Sequence, residues 1–333
     1  MKFDVVINTD DNYMQHTMAM ICSLYESNKE HEITLHVAGR KLTDKSEEYI
    51  KDLTNRYGNK CFFYTVDESR LDGVQTRILE PLSKAAYYRL LMSSILPQNI
   101  DLVLYLDCDI IVLRDLTEIF SIEMDNYPIA AAWDGFPRNE NHRLQLSMEV
   151  DDRCFCSGVM LVNLKYWREH NVESKLLEFA KRPRNPVYLQ DQDALNYVFK
   201  KKWFFLPPKW NRWACSFKPS TANYYLKHYD IEDYLKRPML YHYGGYRIKP
   251  WDDVWSFHKD TYIKYVKLSG YTPVVFRKVD LKKKLKVYKD LSFIWLNQYI
   301  FPYIPMVIMI PLKDVYHICK FFYRLIIRLT HLK

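Results

Sequence analysis

The sequence has little glycine, scattered cysteine and no unbroken apolar run of membrane-spanning length. Eight glycines in 333 residues, with no low-complexity tract, argue against extended disorder. No G-x-G-x-x-G follows the first predicted strand, which counts against a dinucleotide-binding Rossmann enzyme. No G-x-x-x-x-G-K-[ST] loop is present to cradle a nucleoside triphosphate. The seven cysteines are an odd number, and their one close pair, Cys154 and Cys156, has no second pair to match. They read as reduced thiols in a cytosolic compartment rather than a disulfide framework. The chain enters a strand at Lys2 without a signal-peptide apolar region, so secretion is not expected. The apolar stretch 294–312 is broken by Pro302, Pro305 and Pro311, whereas a single membrane span needs roughly 20 apolar residues.

What is present suits one large α/β domain with an appendage. Apolar residues make up 48% of the chain, enough for a sizeable core, and tyrosine is frequent at 27 copies. Tyrosine suits half-wet surfaces such as sugar clefts and lipid interfaces, although most copies must be ordinary packing. Apolar runs and helical spacings alternate. Strands are predicted at 4–8, 33–38, 61–66 and 101–106, and helices at 13–27, 43–57 and 83–96. This alternation predicts a mostly parallel sheet covered on both faces. Such sheets bind ligands at the carboxyl ends of their strands, here 8–13 and 106–110. Further strands are predicted at 129–133, 159–163 and 239–242, and a helix at 190–200. Residues 203–250, rich in aromatics and proline, read as structured loops around a cleft.

The net charge of +8 is unevenly spread. Residues 275–333 carry twelve Lys/Arg against three Asp/Glu, leaving 36 against 37 before them. A near-neutral body with a basic tail points to one anionic surface, not to nucleic acid. In 313–333 the basic residues Lys313, His317, Lys320, Arg324, Arg328 and His331 recur at spacings of three and four. Phe321, Phe322, Leu325, Ile326 and Leu329 fall mostly elsewhere. That is the pattern of an in-plane amphipathic helix at a membrane surface, or of a terminal helix docked on the body.

The residues of chemical interest begin with Leu104-Tyr105-Leu106-Asp107-Cys108-Asp109. Residues i and i+2 of an extended chain point the same way, so both carboxylates can face one divalent cation at a strand end. Such a cation can bridge a nucleotide diphosphate and offset the charge of its departure. Asp-x-Asp alone is a weak signal, and many copies are caps or turns. His242, in Tyr241-His242-Tyr243-Gly244-Gly245, can complete the shell, and imidazole with carboxylate oxygens suits Mn²⁺ better than Ca²⁺. A lone histidine is otherwise an ordinary hydrogen-bonded residue. Lys249 is within reach of a diphosphate. In Asn8-Thr9-Asp10-Asp11-Asn12-Tyr13, Asp10 suits a ribose or base contact and Tyr13 suits stacking. The plain reading of the same residues is a helix N-cap. Gln190-Asp191-Gln192-Asp193 opens a predicted helix with paired amides and acids suited to sugar hydroxyls.

Taken in order, these segments resemble the family 8 glycosyltransferases, which include bacterial lipooligosaccharide and lipopolysaccharide galactosyl- and glucosyltransferases. The matching segments are Thr9 to Tyr13, Ala86-Tyr87-Tyr88-Arg89-Leu90, Val103 to Asp109, Cys156-Ser157-Gly158 through Leu164, Gln190 to Asp193, and His242 to Trp251. The resemblance implies an α/β GT-A fold: a single Rossmann-like mixed sheet with flanking helices, here followed by the basic amphipathic tail. Residues 1–274 would form the catalytic domain and 275–333 a membrane-associating segment. It further implies a retaining hexosyltransferase that moves galactose or glucose from a UDP-sugar to a glycan or glycolipid, such as lipopolysaccharide, lipooligosaccharide or a capsule precursor. Asp107, Asp109 and His242 would hold Mn²⁺, with Mg²⁺ as the substitute. Asp10, Asn12 and Tyr13 would contact uridine. Arg89 and Lys249 would meet the donor sugar or diphosphate, and Asp191 and Gln192 the donor sugar. Asn8, Cys108, Ser157 and Gly245 complete the expected donor contacts. An amide is a poor nucleophile, so Gln192 is expected to stabilise positive charge on the sugar in a front-face reaction. The expected location is the inner face of a bacterial plasma membrane.

Two positions depart from the family pattern. Cys156 stands where many members have Asn, and the spacing from His242 to Lys249 is one residue longer than usual. Other readings of the same residues are a metal-dependent nucleotidyl or phosphoryl transferase, a non-catalytic nucleotide-sugar binder and a self-glucosylating primer.

Overall fold

The computed structural model describes residues 1–76, 84–135, 138–213, 237–244, 249–256, 258–282, 284–285 and 288–289. Gly245 and the predicted helix 313–333 lie outside the described residues, as does the apolar stretch 294–312.

Its centre is a seven-stranded sheet. In chain order the strands are β1 (Lys2–Thr9), β2 (Glu32–Gly39), β3 (Lys60–Thr65) and β4 (Leu102–Leu106). A short β5 (Ile110–Val112) leaves the sheet, and β6 (Ile129–Trp133), β7 (Phe155–Asn163) and β8 (Phe204–Leu206) complete it. The spatial order is β3-β2-β1-β4-β7-β6-β8. Only β7 runs against its neighbours, so the sheet is mixed. Successive residues of the central strands feed opposite faces. Val5, Ile7, Leu104 and Leu106 enter one core cluster, while Val6, Val103 and Tyr105 enter the other. Burial on both faces explains why these strands read as continuous apolar runs.

Helices cover both faces. On one side α1 (Met14–Glu26) is buried along most of its length, and α2 (Asp44–Arg56) starts at the Thr43 cap. The predicted helix at 83–96 is instead a 3₁₀ helix, Lys84–Leu91, followed by the short α3 (Met92–Ile95). Tyr87, Tyr88, Leu90 and Leu91 are all buried, and the apolar spacing alone does not separate the two helix types. The remaining helices are α4 (Thr117–Phe120), α5 (Glu140–Gln145), α6 (Leu164–Glu169), α7 (Val172–Lys181), α8 (Asp191–Phe199) and α9 (Lys259–Ser269). No helix among the described residues is long and apolar enough to cross a membrane.

Two registers build the site. β7 lies antiparallel to β4 with Val159 opposite Leu106, which carries Gly158 beside Asp107; the Asp107 N–H donates to the Gly158 carbonyl at 2.9 Å. A second sheet joins β5 to β9 (Arg212–Trp213) and β10 (Leu240–His242), with β10 central. There His242 lies opposite Ile110, one residue after Asp109. Residues 203–250, read as structured loops, thus contribute β8, β9 and β10 among the described residues.

Past α9, residues 275–279 stay docked on the body. Gln15 exchanges hydrogen bonds with the Val275 backbone, and the Arg277 guanidinium meets buried Asp252 at 2.5 and 3.0 Å. The Val279 N–H donates to Asp253 at 2.9 Å.

Candidate functional site

At the carboxyl end of β4, Asp107 and Asp109 project toward His242. One ligand atom from each lies within 4.8 Å of the others. His242 Nε2 is 3.3 Å from Asp109 Oδ1 and 3.6 Å from Asp107 Oδ2. The ring's far nitrogen, Nδ1, is 2.9 Å from Asn211 Oδ1. An Nδ1–H donated to Asn211 leaves the Nε2 lone pair directed at the two carboxylates, the tautomer a metal ligand needs. Cys156 Sγ lies 3.8 Å from the same Nδ1, on the side away from the carboxylates' nearest nitrogen. Two glycines make room for the ring. A Cβ on Gly158 would stand 2.3 Å from His242 Cε1 and 2.7 Å from Asp107 Oδ2, and one on Gly244 would stand 2.4 Å from Nε2. Oxygen and imidazole donors, a fixed tautomer and a cradle that a methyl would fill all fit a divalent cation.

Cationic side chains brace the carboxylates. Lys249 Nζ donates to Asp109 Oδ2 at 2.8 Å and also to the Tyr243 carbonyl. Burial alone would raise the Asp109 carboxyl, but Lys249 and His242 outweigh it and hold it well below its usual range. The same contacts act on His242. Burial opposes its charge, yet Asp109 and Cys156 push it up to about 10. Arg89 is buried over the Tyr105 ring and bridges two acids: NH2 to Asp107 at 2.8 Å and Nε to Asp191 at 3.1 Å. Despite that contact Asp191 is raised to about 6, because burial, with Asp107 nearby, exceeds the Arg89 attraction.

Arg89 NH1 also donates to the Ser157 carbonyl at 2.8 Å. Ser157 in turn reads the turn before α8. Its N–H donates to Gln192 Oε1 at 3.1 Å, and its hydroxyl lies 3.3 Å from both Gln192 Oε1 and Asp191 Oδ2. Gln192 Nε2 donates to Asp134 Oδ2 at 3.0 Å, which fixes the amide's orientation. Asp134 is buried and paired with Arg138. The turn is strained at Gln190, whose φ of +49° with ψ of −112° costs about 1–3 kcal/mol for a residue other than glycine.

The residues after β1 lie along the same edge. With its amide oriented to satisfy both atoms, Asn8 accepts the Arg89 N–H at 2.9 Å. Cys108 points its thiol at the Asn8 carbonyl, 3.2 Å away, and burial pushes that thiol up to about 12, so it stays neutral. Asp10 caps a 3₁₀ turn by accepting the Tyr13 N–H at 3.1 Å, and Asn12 is exposed. The Tyr13 ring meets His16 and Trp251 edge-on. Burial, then the Asp109 carboxylate, holds its phenol protonated. At the ends of β1 to β3 a small cavity is lined by Thr9, Gly39, Arg40, Lys41, Tyr64 and Thr65.

The structure therefore gathers Arg89, Asp107, Asp109, Ser157, Asp191, Gln192, His242 and Lys249 at one place, with Asn8 and Tyr13 at its edge. Sequence reasoning missed Asp134 and Asn211. Asp134 directly follows β6, so the strand-end rule that singled out Asp107 would have flagged it. Asn211, at the end of a 3₁₀ turn (Pro208–Asn211), carries no such signal.

Residues 4–254 match the sequence profile of Glycosyl transferase family 8. The chain is 27% identical over 278 residues to General stress protein A of Bacillus subtilis strain 168, covering 81% of this chain and 95% of that one. It is 26% identical over 291 residues to a lipopolysaccharide 1,2-glucosyltransferase of Escherichia coli, covering 85% and 82%. The fold is similar to the crystal structure of galactosyltransferase LgtC in complex with donor and acceptor sugar analogs. The TM-score is 0.69 at 24% identity, over 81% of this chain and 98% of that one. With a match running from β1 past the Lys249–Trp251 segment, the chain belongs to the family 8 glycosyltransferases.

Proposed function

We propose that this chain is a retaining hexosyltransferase that moves galactose or glucose from a UDP-sugar to a glycan or glycolipid acceptor. The observation that carries the reading is the Asp107–Asp109–His242 cluster with Lys249 on one side and Arg89 on the other. Three donors face one point, and the two cations beside them suit a diphosphate. Mn²⁺, with Mg²⁺ as substitute, would be held by Asp107, Asp109 and His242. When bound it supplies Lewis-acid neutralisation of the departing UDP.

The chain's own residues account for the rest. Lys249, held at 2.8 Å on Asp109, would meet the diphosphate. Asp10, Asn12, Tyr13 and Asn8 line the uridine end, next to the cavity at the ends of β1 to β3. Asp191, raised to about 6, and Ser157 meet donor hydroxyls, and Arg89 orients them. In the transfer, the bond from the anomeric carbon to the phosphate oxygen breaks. The acceptor oxygen bonds to the same face, and its proton passes to the departing phosphate oxygen. The Gln192 carbonyl oxygen stabilises positive charge on the sugar. An amide there, rather than a carboxylate, favours this course over a covalent intermediate.

The names of relatives support a lipopolysaccharide-type acceptor, since one is a 1,2-glucosyltransferase of that class. The basic segment 275–333 supports attachment to an anionic membrane surface. Calorimetry with UDP-glucose, UDP-galactose and ADP-glucose tests the donor class. Binding of a UDP-hexose that requires Mn²⁺, without binding of ADP-glucose, is expected. Absence of any Mn²⁺-dependent UDP-sugar binding would sink the reading.

A further inference from the structure

The turn that presents Asp191 and Gln192 is closed by its own backbone, the Gln192 N–H donating to the Leu189 carbonyl at 3.0 Å, yet it is strained. Gln190 sits in a sparsely populated backbone region, and both polar atoms of its buried amide lack a hydrogen-bond partner. Such a turn persists only where its neighbours over-determine it. Asp193, 1% exposed, accepts the Leu189 N–H on Oδ2 at 2.9 Å and so closes the turn. Its Oδ1 lies 2.7 Å from His142 Nε2. A carboxylate only accepts, so Nε2 carries the proton and the imidazole is the donor. Arg184 NH1, 3.5 Å from Oδ2, balances the buried charge.

His142 belongs to α5, fifty residues away in sequence. Its buried ring stacks on Tyr188 with centroids 4.1 Å apart. The same helix adds Asn141 Nδ2 to the Tyr188 hydroxyl at 3.1 Å and Gln145 Nε2 to the Pro186 carbonyl at 3.2 Å. The helix is thus tied at four points to residues 186–193, and the one tie that reaches the turn itself is His142 on Asp193.

We infer that His142 is a positioning residue for the transfer proposed above, on which this inference rests. Through Asp193 it holds the 189–193 turn in its strained form, so that Asp191 stays on Arg89 and Gln192 on Ser157. It acts on the turn and not on the reacting atoms. An ordinary core hydrogen bond in the same place would stabilise the protein without selectively moving the chemical step.

The test uses the full chain with His142→Phe, which keeps a ring on Tyr188 but loses the N–H, and His142→Gln, which restores a donor. kcat for UDP release, donor KM, melting temperature and hydrogen exchange of peptides covering 187–195 are measured. For His142→Phe, kcat is expected to fall on the order of 10- to 100-fold, with donor KM rising by less, because Asp191 also meets donor hydroxyls while Lys249 stays in place. Exchange in 187–195 should quicken while β4 stays protected, and His142→Gln should recover most of both. Unchanged kcat, or a loss that tracks melting temperature and exchange across the whole chain, overturns the inference. Parent protein that turns over no UDP-sugar defeats the transferase reading instead. Exchange still decides the clamp in that case: unchanged protection of 187–195 in folded His142→Phe refutes it, and local loss supports it. If His142→Phe does not fold, Asp193→Asn carries the same expectations.

Discussion

Gly158→Ala adds a single methyl group to β7, yet it should disable the cation site. The new Cβ would stand 2.3 Å from His242 Cε1, 2.9 Å from Nε2 and 2.7 Å from Asp107 Oδ2. Carbon atoms pack at about 3.5 Å or more, so the imidazole must retreat by about 1.2 Å. It has nowhere to go without loss. Nδ1 is held at 2.9 Å by Asn211, and the Gly244 backbone is packed against Nε2. Either the ring leaves the carboxylates or β7 shifts from β4, where Asp107 N–H is bonded to Gly158. Overpacking of this kind costs about 1–3 kcal/mol of stability. Losing the support of a ligand typically lowers metal affinity by about 10- to 100-fold. Titration of Mn²⁺ followed by the paramagnetic resonance of the free ion reads the affinity, and a thermal melt reads the stability. A Gly158→Ala protein that binds Mn²⁺ as the parent does would refute the proposed geometry.

Four further outcomes follow from the same contacts. Lys249→Met removes a charge-assisted contact worth about 1.5–3 kcal/mol, so donor KM should rise at least about tenfold, whereas Mn²⁺ affinity should hold or improve because a competing cation is gone; a matched loss of both would contradict this. His242 is raised from 6.5 to about 10 without the cation, and loading must expel its proton. Mn²⁺ affinity should therefore climb about tenfold per pH unit from about pH 7 to pH 9, and a flat profile in calorimetry would count against His242 as ligand. In chelator the raised value stabilises the fold fully below 6.5, and that contribution fades as pH rises toward about 10, so the melting temperature of cation-free protein should drop across that interval. A chain ending at residue 274 should fail to sediment with anionic vesicles and, having lost Arg277 from buried Asp252, should be less stable than one ending at 289 by about 1–3 kcal/mol; vesicle binding by the chain ending at 274 would contradict the membrane role of the tail.

The parts of this protein that were legible in sequence are those written in contiguous pattern. Val5-Val6-Ile7 and Leu102 to Leu106 announced buried parallel strands, and the acids directly after β4 announced a ligand edge. The parts that were not legible depend on contacts between distant segments. Nothing in Gly158 announces that it faces an imidazole 84 residues later; that follows from Val159 standing opposite Leu106 and His242 opposite Ile110. Asn211, His142 and Arg184 are single polar residues in unremarkable surroundings, and only folding brings them to His242 and Asp193. Asp10 shows the reverse limit. Its capping bond to Tyr13 was expected on local grounds and is what the structure contains, and a ribose contact would use the second carboxylate oxygen or break that bond. The 3₁₀ form of Lys84–Leu91 also escaped the pattern, because helical periodicity in so short a stretch does not separate the two hydrogen-bonding schemes.

The most direct test of the central claim is UDP release from UDP-glucose and UDP-galactose without acceptor, in Mn²⁺ and in chelator, for the parent and for Asp109→Ala. Slow hydrolysis of one donor that needs Mn²⁺ and disappears in Asp109→Ala is the predicted result. Release that persists in chelator, or that survives in a folded Asp109→Ala protein, would contradict the account.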